Sequence, residues 1–319
     1  MTPDPFRWQG RVDDEEPGDT RRWHQHVRPF DGGSRGGVAL IGFAVDEGVR
    51  RNAGRPGAAA GPAALRSALA NMPVLGEPAI WDAADIACME TAGDTRSLET
   101  AQDRLAGRVA RAREQGCLPL VIGGGHEVAW GTFQGIARSF AGGRRLLVVN
   151  LDAHFDLRTA AQPNSGTPFR QIAQACEGRG WPFLYRVFGI SRFGNTQALF
   201  DRAQALGARW WLDESLQSES GVAEARRALE QDLASCDGVY LTVCLDVLPA
   251  PVAPGVSAPS PLGVPLAACE ALVDAVLASG KLQAADIAEL NPALDVDGRT
   301  ARVAARLAAR IARGGRAAG

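Results

Sequence analysis

From Gly37 onward the chain alternates short apolar runs with longer segments of helical periodicity. That alternation, more than any single motif, restricts what it can fold into. The runs at 38–43, 80–85, 118–122, 146–151, 186–190, 208–212, 239–245 and 285–288 are short, apolar and mostly β-branched in part, as buried strands are. Between them, 62–70, 97–115, 128–140, 196–205, 221–234, 265–278 and 300–312 carry helix patterns. Such repetition argues for a mostly parallel sheet covered by helices on both faces. We expect one α/β domain of about eight strands over residues 37–313. A polar, Pro- and Gly-rich arm at 1–36 precedes it, and a frayed tail at 314–319 follows.

A sheet of this kind gathers its chemistry outside the carboxyl ends of its strands. Residues 150–158 read NLDAHFDLR, and Asp152, His154 and Asp156 at i, i+2 and i+4 share one face of an extended chain. So much polarity beside an apolar strand is costly unless compensated, most simply by a divalent metal. The plain alternative is a polar turn capping the next helix. The run at 118–122 enters Gly123-Gly124-Gly125-His126-Glu127, whose glycines permit a tight turn aiming His126 at a site; a packing turn is the alternative. The run at 239–245 ends in Cys244-Leu245-Asp246, although a buried cysteine is usually a small hydrophobe. Glu289, opening Glu289-Leu290-Asn291-Pro292, stands at a fourth strand end, where a solvated carboxylate is the alternative.

Their coincidence outweighs each signal alone. Two of the four histidines, three aspartates and a glutamate all fall at expected strand ends. Imidazole and carboxylate suit Mn²⁺, Zn²⁺, Co²⁺ or Fe²⁺. The six ligand-type residues His126, Asp152, His154, Asp156, Cys244 and Asp246 exceed what one tetrahedral ion needs, so a pair of ions sharing a carboxylate fits better. His24 and His26 have no completing ligands nearby and read as surface residues.

Charge and cysteine usage narrow the function. Net charge is −2 with no long single-sign block, which gives no footprint for nucleic acid or an anionic membrane. Lys281 is the only lysine, so the glycines at 54–61 do not form a Walker-type phosphate loop. Six scattered cysteines without a C-x-x-C pair, no leader pattern and no apolar run near ~18 residues point to a reduced, cytoplasmic, soluble protein.

GGGHE, NLDAHFDLR, the Cys244-Leu245-Asp246 segment through Ala253-Pro254-Gly255, and ELNP match in order the signatures of the ureohydrolases, the arginase–agmatinase–formimidoylglutamase family. The resemblance covers about residues 37–312. Arg50-Arg51-Asn52-x-Gly54-Arg55-Pro56-Gly57, Ser165-Gly166-Thr167-Pro168-Phe169-Arg170 and Ala253-Pro254-Gly255-Val256-Ser257-Ala258-Pro259 resemble the formimidoylglutamase branch. The resemblance implies a three-layer αβα domain around an eight-stranded parallel sheet, as in arginases and deacetylases. It implies two manganese ions and hydrolysis of N-formimidoyl-L-glutamate to L-glutamate and formamide, a step of histidine degradation. One ion would take His126, Asp152, Asp156 and Cys244; the other Asp152, His154, Cys244 and Asp246. A hydroxide held between them would attack the formimidoyl carbon. Asp156 would orient it, and Glu289 would hold the cationic formimidoyl group. Family members commonly form trimers or hexamers, so a homo-oligomer is expected.

Two positions depart from the wider family. Cys244 stands where aspartate is usual, and a thiolate is a poorer partner for hard Mn²⁺. Ser165 stands where arginases and agmatinases commonly carry a proton-shuttling histidine, which argues against a guanidinium substrate. The substrate's two carboxylates call for arginine or amide donors, with Arg158, Asn164, Ser165, Arg170 and Arg192 as candidates. Other readings are a urea-releasing agmatinase or guanidinobutyrase-like enzyme, a single-metal amide hydrolase of the same fold, and a degenerate member kept as a structural subunit.

Overall fold

The computed structural model describes residues 6–88, 97–140 and 145–315. In chain order the elements begin α1 (Trp23–His26), β1 (Arg28–Pro29), β2 (Val38–Ala44), α2 (Glu47–Arg51), α3 (Gly61–Ala70), β3 (Ile80–Ala87) and α4 (Ser97–Glu114). Next come β4 (Leu118–Ile122), α5 (Val128–Ser139), β5 (Leu146–Leu151), α6 (Pro168–Arg179), β6 (Leu184–Ile190) and α7 (Gln197–Ala205). The chain continues through β7 (Arg209–Leu212), α8 (Glu219–Ser235), β8 (Gly238–Cys244), α9 (Leu266–Ala278), β9 (Leu282–Ala288) and α10 (Arg299–Ala312). The described strands form one sheet in the order β1-β3-β2-β4-β9-β8-β5-β6-β7, and every pairing is parallel.

The layers follow from the period of two along each strand. Leu147, Val149 and Leu151 of β5 join one apolar cluster with residues of α3, α8, α9 and α10. Leu146 and Val148 join the other, beneath α4, α5, α6 and α7. A strand buried on both faces is mostly apolar, which is why β5 and β8 read as apolar runs interrupted only by Asn150 and by Thr242, both buried and polar.

Three features differ from the sequence expectation. The sheet has nine strands rather than eight, because the two-residue β1 pairs with β3. The arm is tied to the domain: Trp23 is fully buried, Trp8 Nε1 donates to Asp82, and His24 and His26 bond the carbonyls of Ala70 and Pro78 at 2.9 Å. Helix α6 was not expected. Its signals were present, with Pro168 in the first turn, Phe169, Ile172, Ala173 and Cys176 on one buried face, and Gly180 in left-handed backbone at its end. The expected frayed tail falls partly on 316–319, outside the described residues. Among the described residues no helix is long and apolar enough to cross a membrane.

Candidate metal centre

Strands β4, β9, β8 and β5 are neighbours at the middle of the sheet, and each delivers polar residues from its carboxyl end to one rim. After β4 the chain turns through Gly123, Gly124 and Gly125 into α5. A Cβ on Gly124 would lie 1.8 Å from the Val45 carbonyl oxygen, so only glycine lets the turn pass the end of β2. The turn presents His126 and Glu127, both buried. Asp152, His154 and Asp156 follow β5. Cys244 ends β8, Asp246 sits in the Leu245–Val247 turn, and Glu289 follows β9.

These side chains meet. His126 Nδ1 lies 3.0 Å from Oδ2 of Asp152 and 3.0 Å from Oδ2 of Asp156, without a hydrogen bond to either. His154 Nδ1 lies 3.2 Å from Oδ2 of Asp246 and 3.6 Å from Oδ1 of Asp152. Ligand atoms of His126, Asp152 and Cys244 fall within 4.8 Å of one another, as do those of Asp152, His154 and Asp246. Asp152 belongs to both sets. Asp156 joins the first through its contact with His126. All six expected ligand residues are therefore at one place.

The surroundings hold these groups in position. His126 Nε2 lies 3.0 Å from Thr242 Oγ1, which leaves Nδ1 for the cleft. Asp152 accepts from the His154 backbone N–H at 2.7 Å and from Asn150 Nδ2 at 3.0 Å. Asn150 is itself held by Tyr185, whose hydroxyl donates to the Phe155 carbonyl. Asp156 and Glu289 have φ of 47° and 72°, a left-handed backbone that costs a non-glycine residue about 1–3 kcal/mol. Strain of that kind persists only where the surrounding structure enforces it.

Charge shows what the rim lacks. Burial opposes a charged imidazole, yet Asp152 and Asp156 hold the pKa of His126 well above its ordinary value. Against the same opposition, Asp246 and Asp152 raise that of His154. Burial, with Glu127 and Asp246 nearby, pushes Glu289 up to about 8. Burial and the neighbouring Asp246, Asp152 and Glu289 push the Cys244 thiol well up. Among the described residues, buried Asp246 Oδ1 and Glu289 Oε2 have no hydrogen-bond partner. Acidic groups are crowded here against two imidazoles, and nitrogen, oxygen and sulfur donors converge. Divalent first-row ions fit this donor set, and binding them would release the imidazole protons.

A cavity of about 360 Å³ opens on the rim, lined by His126, His154, Asp156, Cys244, Asp246 and Glu289 together with Asn52, Arg55, Arg158, Ser165, Asn195 and Ser257. Of the residues considered for substrate carboxylates, Arg158 and Ser165 line it. Three others are placed elsewhere. Asn164 is buried in its own turn, bonding Gly166 and Thr167. Arg170 lines a separate groove between α6 and α7, and Arg192 faces Glu214 at 3.7 Å. Sequence reasoning gave no role to Asn52, Arg55 or Ser257. Their signal was available, since they lie inside motifs that marked the branch.

Residues 36–313 match the profile of the Arginase family. The formimidoylglutamase of Ralstonia nicotianae is 54% identical over 317 residues, covering 98% of this chain and 96% of that protein. The formimidoylglutamase of Aeromonas hydrophila is 51% identical, covering 94% and 95%. Among solved structures, the Trypanosoma cruzi formiminoglutamase with Mn²⁺ superposes with a TM-score of 0.76 at 26% identity, covering 93% of this chain and 98% of that one. The Bacillus subtilis formimidoylglutamase shares the fold with a TM-score of 0.82 at 20% identity, covering 96% and 94%.

Proposed function

This chain belongs to the arginase family, and from that premise we propose that it is a manganese-dependent formimidoylglutamase. It hydrolyses N-formimidoyl-L-glutamate to L-glutamate and formamide. The observation that carries the reading is the pair of ligand sets sharing Asp152 beside a cavity that also presents Glu289 and two arginines.

His126, Asp152, Asp156 and Cys244 would hold one ion, and Asp152, His154 and Asp246 the other. When bound, manganese supplies Lewis-acid polarisation and lowers the pKa of water. The chain's own residues do the rest. Glu289, one carboxylate oxygen already fixed by the His126 backbone N–H at 2.9 Å, turns its free Oε2 to the cationic formimidoyl group. Asp156, held in strained backbone, orients the attacking water. Water adds to the formimidoyl carbon. The bond from that carbon to the glutamate nitrogen then breaks, and that nitrogen takes up a proton. Arg158 receives one substrate carboxylate.

Six free cysteines among the described residues favour a reducing, cytoplasmic setting, and the reaction fits histidine breakdown. Family likeness favours a homo-oligomer. One feature favours a second reading. Cys244 offers a single sulfur where a carboxylate offers two oxygens, so one position is the weaker and a one-ion enzyme is the alternative. The deciding assay loads the protein with Mn²⁺ and follows product. Formamide from N-formimidoyl-L-glutamate, without urea from arginine, agmatine or guanidinobutyrate, is the expected result. Urea release without formamide overturns it, and activity at one ion per chain favours the alternative.

A further inference from the structure

Three motifs that the metal chemistry leaves unused converge on Arg55. Its backbone N–H donates to Ser257 Oγ at 2.8 Å, Nε to the Ser257 carbonyl at 2.8 Å, and Nη2 to the Val256 carbonyl at 2.7 Å. From the other side Asn291 Nδ2, two residues beyond Glu289, donates to the carbonyls of Arg55 and Pro56 at 3.2 and 3.0 Å. Gly57 N–H donates to Asp46 at 2.6 Å. The loop is also pressed close, since a Cβ on Gly54 would lie 2.9 Å from Ser257 Oγ. Segments after β2, β8 and β9 thus fix one exposed arginine at the cavity wall.

The guanidinium is only partly used by this clamp. Nε and one Nη2 hydrogen hold carbonyls, which leaves the Nη1–Nη2 edge, the fork that meets a carboxylate with two parallel bonds. No carboxylate lies within 4.0 Å of Arg55 among the described residues. Its chain neighbours differ: Arg50 pairs with Asp46 at 3.5 Å and Arg51 with Glu99 at 2.8 Å. Arg158, across the same cavity lining, likewise has no carboxylate partner within that distance.

We propose that Arg55 is a specificity residue that binds one of the substrate's two carboxylates while Arg158 takes the other, so that the site selects a diacid. The assignment rests on the reading given under Proposed function. Two guanidinium groups at one cavity match a dianionic tail and repel the ammonium end of a substrate such as agmatine. Because the clamp fixes Arg55 before binding, little side-chain entropy is lost on contact.

The test measures kcat/KM for formamide release by the Mn²⁺-loaded protein on N-formimidoyl-L-glutamate and on its two monoamides. Wild type should lose roughly 10- to 100-fold on each monoamide, the range for one charge-assisted hydrogen-bonded pair. Arg55→Gln should lose roughly 10- to 100-fold on the diacid, mainly through KM. It should lose under about 3-fold on the monoamide that lacks Arg55's partner, since the same bond cannot be lost twice. Arg55→Lys should fall between. Equal losses on all three substrates overturn the assignment and leave the reaction intact. No formamide from wild type removes the reaction and the assignment together. Should Arg55→Gln not fold, the wild type decides: equal kcat/KM on the diacid and both monoamides overturns the assignment.

Discussion

Two buried clusters of charge in this chain use similar residues and end in opposite states. Arg66, fully buried on α3, reaches Asp82 at 2.9 and 3.1 Å and Asp85 at 2.5 Å. Trp8 and the Ala84 backbone N–H satisfy Asp82 further. That cluster carries its own cation. At the rim, Asp152, Asp156, Asp246 and Glu289 face two imidazoles, with Asp246 Oδ1 and Glu289 Oε2 without hydrogen-bond partners among the described residues. A structural cluster closes on itself; a functional one keeps unfilled demand for positive charge at a cavity.

The largest contrast should come from removing one member of each. Asp152→Asn takes away the carboxylate common to both ligand sets. Groups that merely orient ligands are worth about 10- to 100-fold. Losing the shared ligand should therefore cost roughly 10³-fold or more in formamide release, with the circular dichroism of the folded state retained. Arg66→Met should do the reverse. It strands two carboxylates and should lower stability by about 3–5 kcal/mol in denaturant titration, while each folded molecule keeps its rate. Equal effects on rate and stability in both variants would erase the distinction.

pH sharpens it next. Burial raises Glu127 from an ordinary 4.5 to about 7 and Glu289 to about 8, and both histidines of the rim are raised. A group raised on folding contributes stability that is complete below its unfolded pKa and lost as pH rises through the folded one. The metal-free protein should therefore lose thermal stability between about pH 5 and 8. Mn²⁺ should flatten that slope, because binding replaces the rim's protons. A metal-free melting temperature that climbs over this window would contradict the charge reading. The smallest effect is expected at Cys244. Cys244→Asp should tighten Mn²⁺ binding, by roughly 10-fold for one added charge-assisted ligand, and raise activity at limiting metal. Unchanged affinity by calorimetry would mean that residue 244 does not coordinate.

The two regions were also unequally legible. The rim could be read because its residues follow apolar strands, although the extended spacing expected for Asp152, His154 and Asp156 does not hold: β5 ends at Leu151, the chain bends at 153–154, and Asp156 has φ of 47°. β4 and β5 occupy the residues expected for them because strands buried on both faces are mostly apolar, with Asn150 the one polar residue of β5. The Arg66 cluster gave no such sign, since Arg66, Asp82 and Asp85 look like ordinary surface charges until α3 packs on the sheet. Arg55 was hidden for a related reason. Its role depends on Ser257 and Asn291, more than 200 positions away, and no local pattern reports contacts of that range. β1 escaped because two residues, one of them proline, carry no strand periodicity.

Four neighbouring strands bring two sets of ligand-type side chains together around the carboxylate of Asp152. Anomalous diffraction at the manganese edge from Mn²⁺-soaked crystals tests it most directly. Two peaks roughly 3.5–4 Å apart are expected, with Asp152 between them, the His126 side including Cys244 and the His154 side including Asp246. A lone peak away from Asp152, or none within reach of that rim, would contradict it.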